Sequence, residues 1–267
     1  EIENLRAKIL SNFGGRPDNS VELYQRGLCD VIPTGVESLD ILLEGGLFCG
    51  KMYELCGHSS AGKSQLCNWI SIQATVNAST EVHYMDTSSN FCISRIQMIL
   101  ETRESTNRVV AKVMSNIKVY KITKVSDAFS VLYGLANAPK DQAEKCKKLV
   151  IIDSLTALLA TISHNDLNPL LSNLSSVCRY FANRCRGTVV TVNTVREGSR
   201  TLIGTDKDIV MSKKPALTNY WLSVPNVRLL MGDLGKARKK IEVWKSCQLV
   251  NGRSCTMGIG EEGIFSV

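Results

Sequence analysis

The chain has 267 residues, 44% of them hydrophobic and 21% charged, which is ordinary globular usage and excludes wholesale disorder. A chain this long can bury roughly 70% of its unfolded surface in a core without staples. No apolar run approaches the ~18 residues of a spanning helix, and no apolar block follows a basic start, so neither a membrane span nor a signal peptide is expected. The net charge of +7 is localised: residues 196–245 carry 11 Lys/Arg against 5 Asp/Glu, whereas residues 1–195 carry 20 against 18. Such a stretch suits an anionic partner, or else a solvated basic face.

In chain order, Ile2, Leu5, Ile9 and Phe13 lie near helical spacing until Gly14-Gly15 breaks the pattern, and a linker with Pro17 and Asn19 follows. From about residue 31, short apolar runs alternate with longer helical ones. Strands are expected at Met52–Cys56, Val82–Met85, Ile117–Ile122, Leu149–Ile152 and Val189–Val192. Helices are expected near 63–77, 92–104, 126–138 and 167–186. Strand, crossover helix, strand is the signature of a parallel sheet covered on both faces. Val227–Met231, Ile241–Trp244 and Cys255–Ile259 follow with short turns and no helix, which predicts antiparallel strands added at the edge. The expected fold is α/β, with residues 1–30 as a short helix and linker and 31–267 as the core domain. The ten cysteines are scattered without a C-x-x-C pair, so they read as free thiols in a reducing compartment and not as a zinc site.

Gly57-His58-Ser59-Ser60-Ala61-Gly62-Lys63-Ser64 fits G-x-x-x-x-G-K-[ST] at every fixed position. Glycines let such a loop turn its backbone N–H groups toward phosphates, and the following helix directs its positive end at them. Lys63 would reach the β- and γ-phosphates of ATP, and the Ser64 hydroxyl would ligate Mg²⁺. An apolar strand precedes the loop and a helix with Leu66, Trp69 and Ile70 follows it, as the mechanism requires. Leu149-Val150-Ile151-Ile152-Asp153 describes a buried strand that delivers one carboxylate at its C-terminal edge, where open α/β sheets bind ligands. Asp153 is the second candidate for the Mg²⁺ shell.

Thr34-Gly35-Val36-Glu37-Ser38-Leu39-Asp40-Ile41-Leu42-Leu43-Glu44-Gly45-Gly46, upstream of the loop, resembles the T-G-x-x-x-L-D-x-L-L-x-G-G stretch of RecA-type recombinases in their eukaryotic and archaeal branch. The resemblance continues through Gly62-Lys63-Ser64-Gln65 and Ile152-Asp153-Ser154 and covers nearly the whole chain from about residue 20. Lys213-Lys214-Pro215-Ala216-Leu217, Trp221 and Val224–Leu230 are most similar to the D subfamily of the Rad-fifty-one paralogue group. The resemblance implies a RecA-like ATPase core and ATP with Mg²⁺ at Gly57–Gln65 and Asp153. It also implies action in the nucleus.

Where the chain departs from the family, the resemblance implies altered chemistry. The catalytic recombinases carry Asp-Thr-Glu-Gly, whose Glu polarises the attacking water, whereas this chain has Asp86-Thr87-Ser88-Ser89. A serine hydroxyl cannot take up that proton near neutral pH. The family's Asn-Gln, whose Gln senses the γ-phosphate, is here Asn193-Thr194. Ser88 and Thr194 together imply nucleotide binding with weak or absent hydrolysis, unless Asp86 substitutes. The assembly motif Phe-x-x-Ala is replaced by Pro17-Asp18-Asn19-Ser20 ahead of Glu22-Leu23-Tyr24-Gln25-Arg26, so the usual self-assembly contact is expected to be absent. Residues 1–15 are expected to stand for a remnant of the family's helical N-terminal domain.

Two DNA-facing loops follow the Asp153 and Asn193 strands in this family. The first, around Ser163–Asn168, is expected to be short and has no Lys or Arg. The second, Arg196 to Lys214, holds Arg196, Arg200, Lys207, Lys213 and Lys214 among Gly and Ser. That composition suits a mobile loop whose cations meet phosphates without reading bases. Lys236, Arg238, Lys239 and Lys240 read as a charged hairpin turn. Lys245 matches the region where family members touch a neighbour's nucleotide. The implied function is that of an ATP-binding paralogue in homologous-recombination repair. Such a subunit assembles with other paralogues and promotes or stabilises recombinase filaments on single-stranded DNA. A nucleotide-locked scaffold without DNA contact and an ATP-driven strand-exchange enzyme are the alternatives.

Overall fold

The computed structural model describes residues 2–4, 19–21, 30–78, 80–138, 146–202 and 209–267, and for residues 197–202 and 209–213 the backbone alone. The chain divides into two units, Glu1–Asp30 and Val31–Val267. Residues 2–4 are helical; the remainder of the expected N-terminal helix, Pro17-Asp18 and Glu22–Arg26 lie outside the described residues.

The larger unit begins with β1 (Val31–Ile32), α1 (Glu37–Leu42) and β2 (Leu47–Phe48), followed by β3 (Met52–Gly57), α2 (Lys63–Asn77) and β4 (Glu81–Asp86). Then come α3 (Ile93–Thr102), α4 (Asn107–Asn116), β5 (Ile117–Lys121), α5 (Val125–Ala136), β6 (Lys148–Asp153), α6 (Leu155–Leu158), α7 (His164–Arg184) and β7 (Gly187–Asn193). The chain continues with β8 (Val195–Leu202), β9 (Ile209–Pro215), a 3₁₀ turn at Asn219–Leu222, β10 (Val227–Gly235), β11 (Arg238–Ser246), β12 (Ser254–Gly260) and β13 (Gly263–Ser266).

Nine strands form one sheet in the order β13-β12-β11-β10-β3-β7-β6-β4-β5. Strands β3, β6 and β7 are buried at every position, and their apolar runs are what a sheet covered on both faces demands. One face packs Leu39, Leu66, Ile96 and Val113 from α1 to α4; the other packs Leu132, Leu155, Leu174 and Phe181 from α5 to α7, with Trp221. The conserved-looking spacing Thr34…Asp40 has a local cause, because the Asp40 carboxylate accepts the Thr34 N–H at 2.8 Å and the Gly35 N–H at 3.2 Å. Among the described residues, no helix is long and apolar enough to cross a membrane.

Three expectations are corrected and one is refined. The extension β10 to β13 is antiparallel within itself as expected, but it joins the core through a parallel pairing of β10 with β3, so the phosphate-loop strand lies inside the sheet. The helical stretch after β4 continues into a separate helix, α4. Thr106 caps it by accepting the Val109 N–H, and Val113 anchors it to the core. Ser163–Asn168 is not a loop: the Ser163 hydroxyl accepts the Asp166 N–H and starts α7 there. The described parts of the basic stretch are not irregular either, because β8 and β9 pair antiparallel outside the main sheet.

Candidate functional site

Parallel strands end together, so β3, β4, β6 and β7 bring Gly57, Asp86, Asp153 and Asn193 to one edge of the sheet. Asp86 pairs with Asp153 in register, and Cys56 with Asn193. The Gly57–Ser64 loop leaves β3 at that edge and turns into α2 through Gly62, which holds the left-handed conformation at φ 90°. Gly57 is required by close approach to backbone, and Gly62 by its left-handed conformation. A Cβ on Gly57 would lie 2.6 Å from the Met231 carbonyl oxygen, and one on Gly62 would lie 2.6 Å from the Ile259 Cδ1. The C-terminal extension therefore forms the back wall of the loop.

Lys63 is buried, and its ammonium donates to the carbonyls of Gly57 at 2.8 Å and His58 at 2.7 Å. Burial lowers its pKa, and the neighbouring Asp153 carboxylate opposes that shift. Asp153 accepts the Tyr84 hydroxyl at 2.7 Å, which fixes one carboxylate oxygen at the strand end. Burial pushes the Tyr84 phenol and the Cys67 thiol upward, so neither ionises beside Asp153. Ala61 is buried, Ser64 and Gln65 are half-buried, and His58, Ser59 and Ser60 are exposed at the mouth. Gln65 accepts a hydrogen bond from Arg95 at 3.0 Å.

The turn after β4 has a different construction. Asp86 is buried, and its carboxylate accepts the N–H groups of Ser88 and Asn90 at 3.1 Å and of Phe91 at 3.0 Å. Those bonds hold a tight turn, and they commit both oxygens to backbone. Asp86 thus serves as the structural cap of this turn. Ser88 is exposed at the turn. Thr87 ties the turn to the neighbouring strand end, accepting the Ser154 N–H at 2.7 Å and donating to the Ser154 carbonyl at 2.8 Å.

Asn193 is fully buried and accepts the Thr194 N–H at 2.8 Å through its own side-chain oxygen. Its amide donates at 2.9 Å to Glu54, which also accepts the Trp221 indole N–H at 2.8 Å and pairs with the Arg228 guanidinium. Thr194 in turn accepts the Ala216 N–H at 2.9 Å. Both roots of the β8–β9 hairpin are therefore held by one buried carboxylate of β3. The signal for this network was a Glu inside an otherwise apolar strand, since a fully buried charge requires a partner.

Within the hairpin, Arg196 lies directly across from Lys214, Glu197 across from Lys213, and Arg200 across from Met211. Arg196 and Lys214 are exposed, and like charges facing each other on a ladder are destabilising without an anion between them. Lys207 lies outside the described residues. Lys245 is turned into its own chain, donating to the carbonyls of Ser223 at 3.0 Å and Pro225 at 2.8 Å. Lys239, read as a turn cation, is instead buried against the phosphate loop. No disulfide joins the described cysteines.

The Rad51 family model matches residues 25–267. "DNA repair protein RAD51 homolog 4" of Bos taurus is 28% identical over 270 residues, covering 97% of this chain and 81% of that protein. "DNA repair protein RAD51 homolog 2" of Homo sapiens is 26% identical, covering 87% of this chain and 68% of that protein. The crystal structure of the RadB recombinase superposes with a TM-score of 0.70 over 89% of this chain at 22% identity, a likeness of fold.

Proposed function

The chain belongs to the Rad51 family, and we propose that it works in homologous-recombination repair as a paralogue that holds ATP without cleaving it efficiently. One observation carries this reading. A complete phosphate loop stands beside Asp153, while the adjacent turn has spent Asp86 on backbone and offers only Ser88. The residues fit Mg-ATP: glycines at 57 and 62 occupy positions that a side chain would obstruct, and a buried cation, Lys63, neighbours a strand-end carboxylate. Gly57–Gln65 would hold the phosphates, with Ser64 and Asp153 in the Mg²⁺ shell. The bound metal supplies charge neutralisation of the β- and γ-phosphates.

The names of the RAD51 homologues support a role in DNA repair, and the family reading extends this to action in the nucleus alongside other recombinase paralogues and the recombinase filament. The facing cations Arg196 and Lys214 support single-strand contact through phosphates, with Arg200 and Lys213 on the same ladder; Lys207 is proposed as a further contact from the sequence alone. The core unit, residues 31–267, carries the activity in this reading. Direct titration with Mg-ATP tests the central reading. The parent should bind, and Lys63→Ala should weaken binding by at least about 100-fold, since a charge-assisted contact is worth a few kcal/mol. Equal affinities for the two would overturn the loop assignment.

A further inference from the structure

Lys239 stands on β11, two strands away from the phosphate loop in the sheet, yet its side chain crosses to the loop's outer wall. Its ammonium donates to the Ser60 carbonyl at 3.2 Å and pairs with the Asp233 carboxylate at 2.8 Å. Asp233 is its register partner on β10, so the ladder itself aims the lysine. The aliphatic stem runs beside Gly62, 3.7 Å from where a Cβ there would lie. The lysine retains 9% of its surface, an unusual burial for this residue type unless it is paired.

A peptide plane carries its C=O and the next N–H on opposite sides. Drawing the Ser60 carbonyl outward therefore turns the Ala61 N–H inward, where it meets the His58 carbonyl at 3.1 Å. One bond from the C-terminal extension thus sets the orientation of a peptide in the middle of the loop. The same bond brings a second ammonium to the loop rim besides Lys63.

We propose that Lys239, aimed by Asp233, is a positioning residue that presets the phosphate loop for the triphosphate and links nucleotide affinity to the β10–β11 hairpin. The inference rests on the nucleotide reading of Gly57–Ser64. It assigns a role to a turn whose charges otherwise read as a solvated edge. Because Asp233 is half exposed beside the turn, a change at this hairpin reaches the loop through a single ion pair.

The test is titration of the full chain with fluorescent Mg-ATP, Mg-ADP and adenosine analogues, alongside the melting temperature without nucleotide. Lys239→Met should weaken ATP by about tenfold, ADP by less and adenosine hardly at all, as loss of a charged hydrogen bond implies. Lys239→Arg should recover most of the loss. Asp233→Asn should weaken ATP by a few-fold with an unaltered melting temperature. If Lys239→Met matched a parent that binds through Lys63, the inference alone would fail. An equal loss for all three ligands, accompanied by a lower melting temperature and no effect of Asp233→Asn, would also overturn it, since that pattern marks packing. A parent that bound no ATP would sink the nucleotide reading, and the inference with it.

Discussion

The sheet edge carries two constructions side by side. At the end of β3, the loop, Lys63 and Asp153 form the proposed phosphate site, with every fixed position of the motif filled. At the ends of β4 and β7, the backbone is held as firmly, by Asp86 through three N–H bonds and by Asn193 through Glu54, yet Ser88 and Thr194 project no acid, base or amide. In the proposed reading scaffold and chemistry have separated: the second region has its shape while positions 88 and 194 carry only hydroxyls. A shape retained there serves to hold the hairpin root and the turn in position.

The comparison breaks most severely if Glu54 is removed. Glu54→Ala leaves Arg228 buried and unpaired, and such a loss costs about 3–5 kcal/mol. Ser88→Ala, on the exposed turn, should stay within about 0.5 kcal/mol. Urea denaturation of the two variants checks the contrast, and equal stabilities would show that the second region is not the held scaffold described here. Restoring the missing group sharpens the same comparison. Ser88→Glu should raise Lys63-dependent hydrolysis by about 100-fold, the low end of general-base assistance, because Thr194 still lacks the amide. Phosphate release under saturating ATP reads the outcome.

A smaller effect comes from the other end of β4. His83 is buried there with its Nε2 in no hydrogen bond and the Glu81 carboxylate 3.5 Å away; Nδ1 faces the Tyr120 hydroxyl at 3.1 Å. Burial pushes its pKa down to about 4, with Lys118 and Lys148 adding to the shift and Glu81 opposing it. The unfolded chain therefore binds a proton that the folded one refuses between about pH 6.5 and pH 4. Stability should fall as pH drops through that window, by up to about 1.4 kcal/mol per pH unit. His83→Gln should remove that slope, while leaving ATP affinity at neutral pH unaltered.

The smallest expected effect concerns the hairpin. Neutralising Arg196 and Lys214 should flatten the dependence of log affinity on log salt for single-stranded DNA by roughly 0.7 per lost contact. ATP affinity should not follow. A slope that overlays the parent's would assign the surplus charge to a protein interface.

Much of the phosphate site was legible because its requirements are local: glycines, lysine and serine at fixed spacing, and an apolar strand ending in Asp153. The alternation of apolar runs likewise revealed the parallel core. What escaped was set by contacts distant in sequence. Lys239 looked like one more turn cation, since nothing near it in the chain announces Ser60, 179 residues away. The β8–β9 ladder hid in a stretch rich in Gly, Ser and charge, where strand propensity is poor. The second helix, α4, was signalled by Thr106 as a cap, a cue masked by the short turn before it. The occupancy of Asp86 depends on three backbone bonds that only coordinates reveal.

The most direct measurement is a single-turnover experiment with radiolabelled Mg-ATP bound to the isolated parent and to Lys63→Ala, with and without single-stranded DNA. The account predicts that the parent retains label through Lys63 while ADP forms at the rate of the uncatalysed background in both conditions. Lys63-dependent formation of ADP within one turnover would contradict it, and would mean that another group supplies the base that Ser88 lacks.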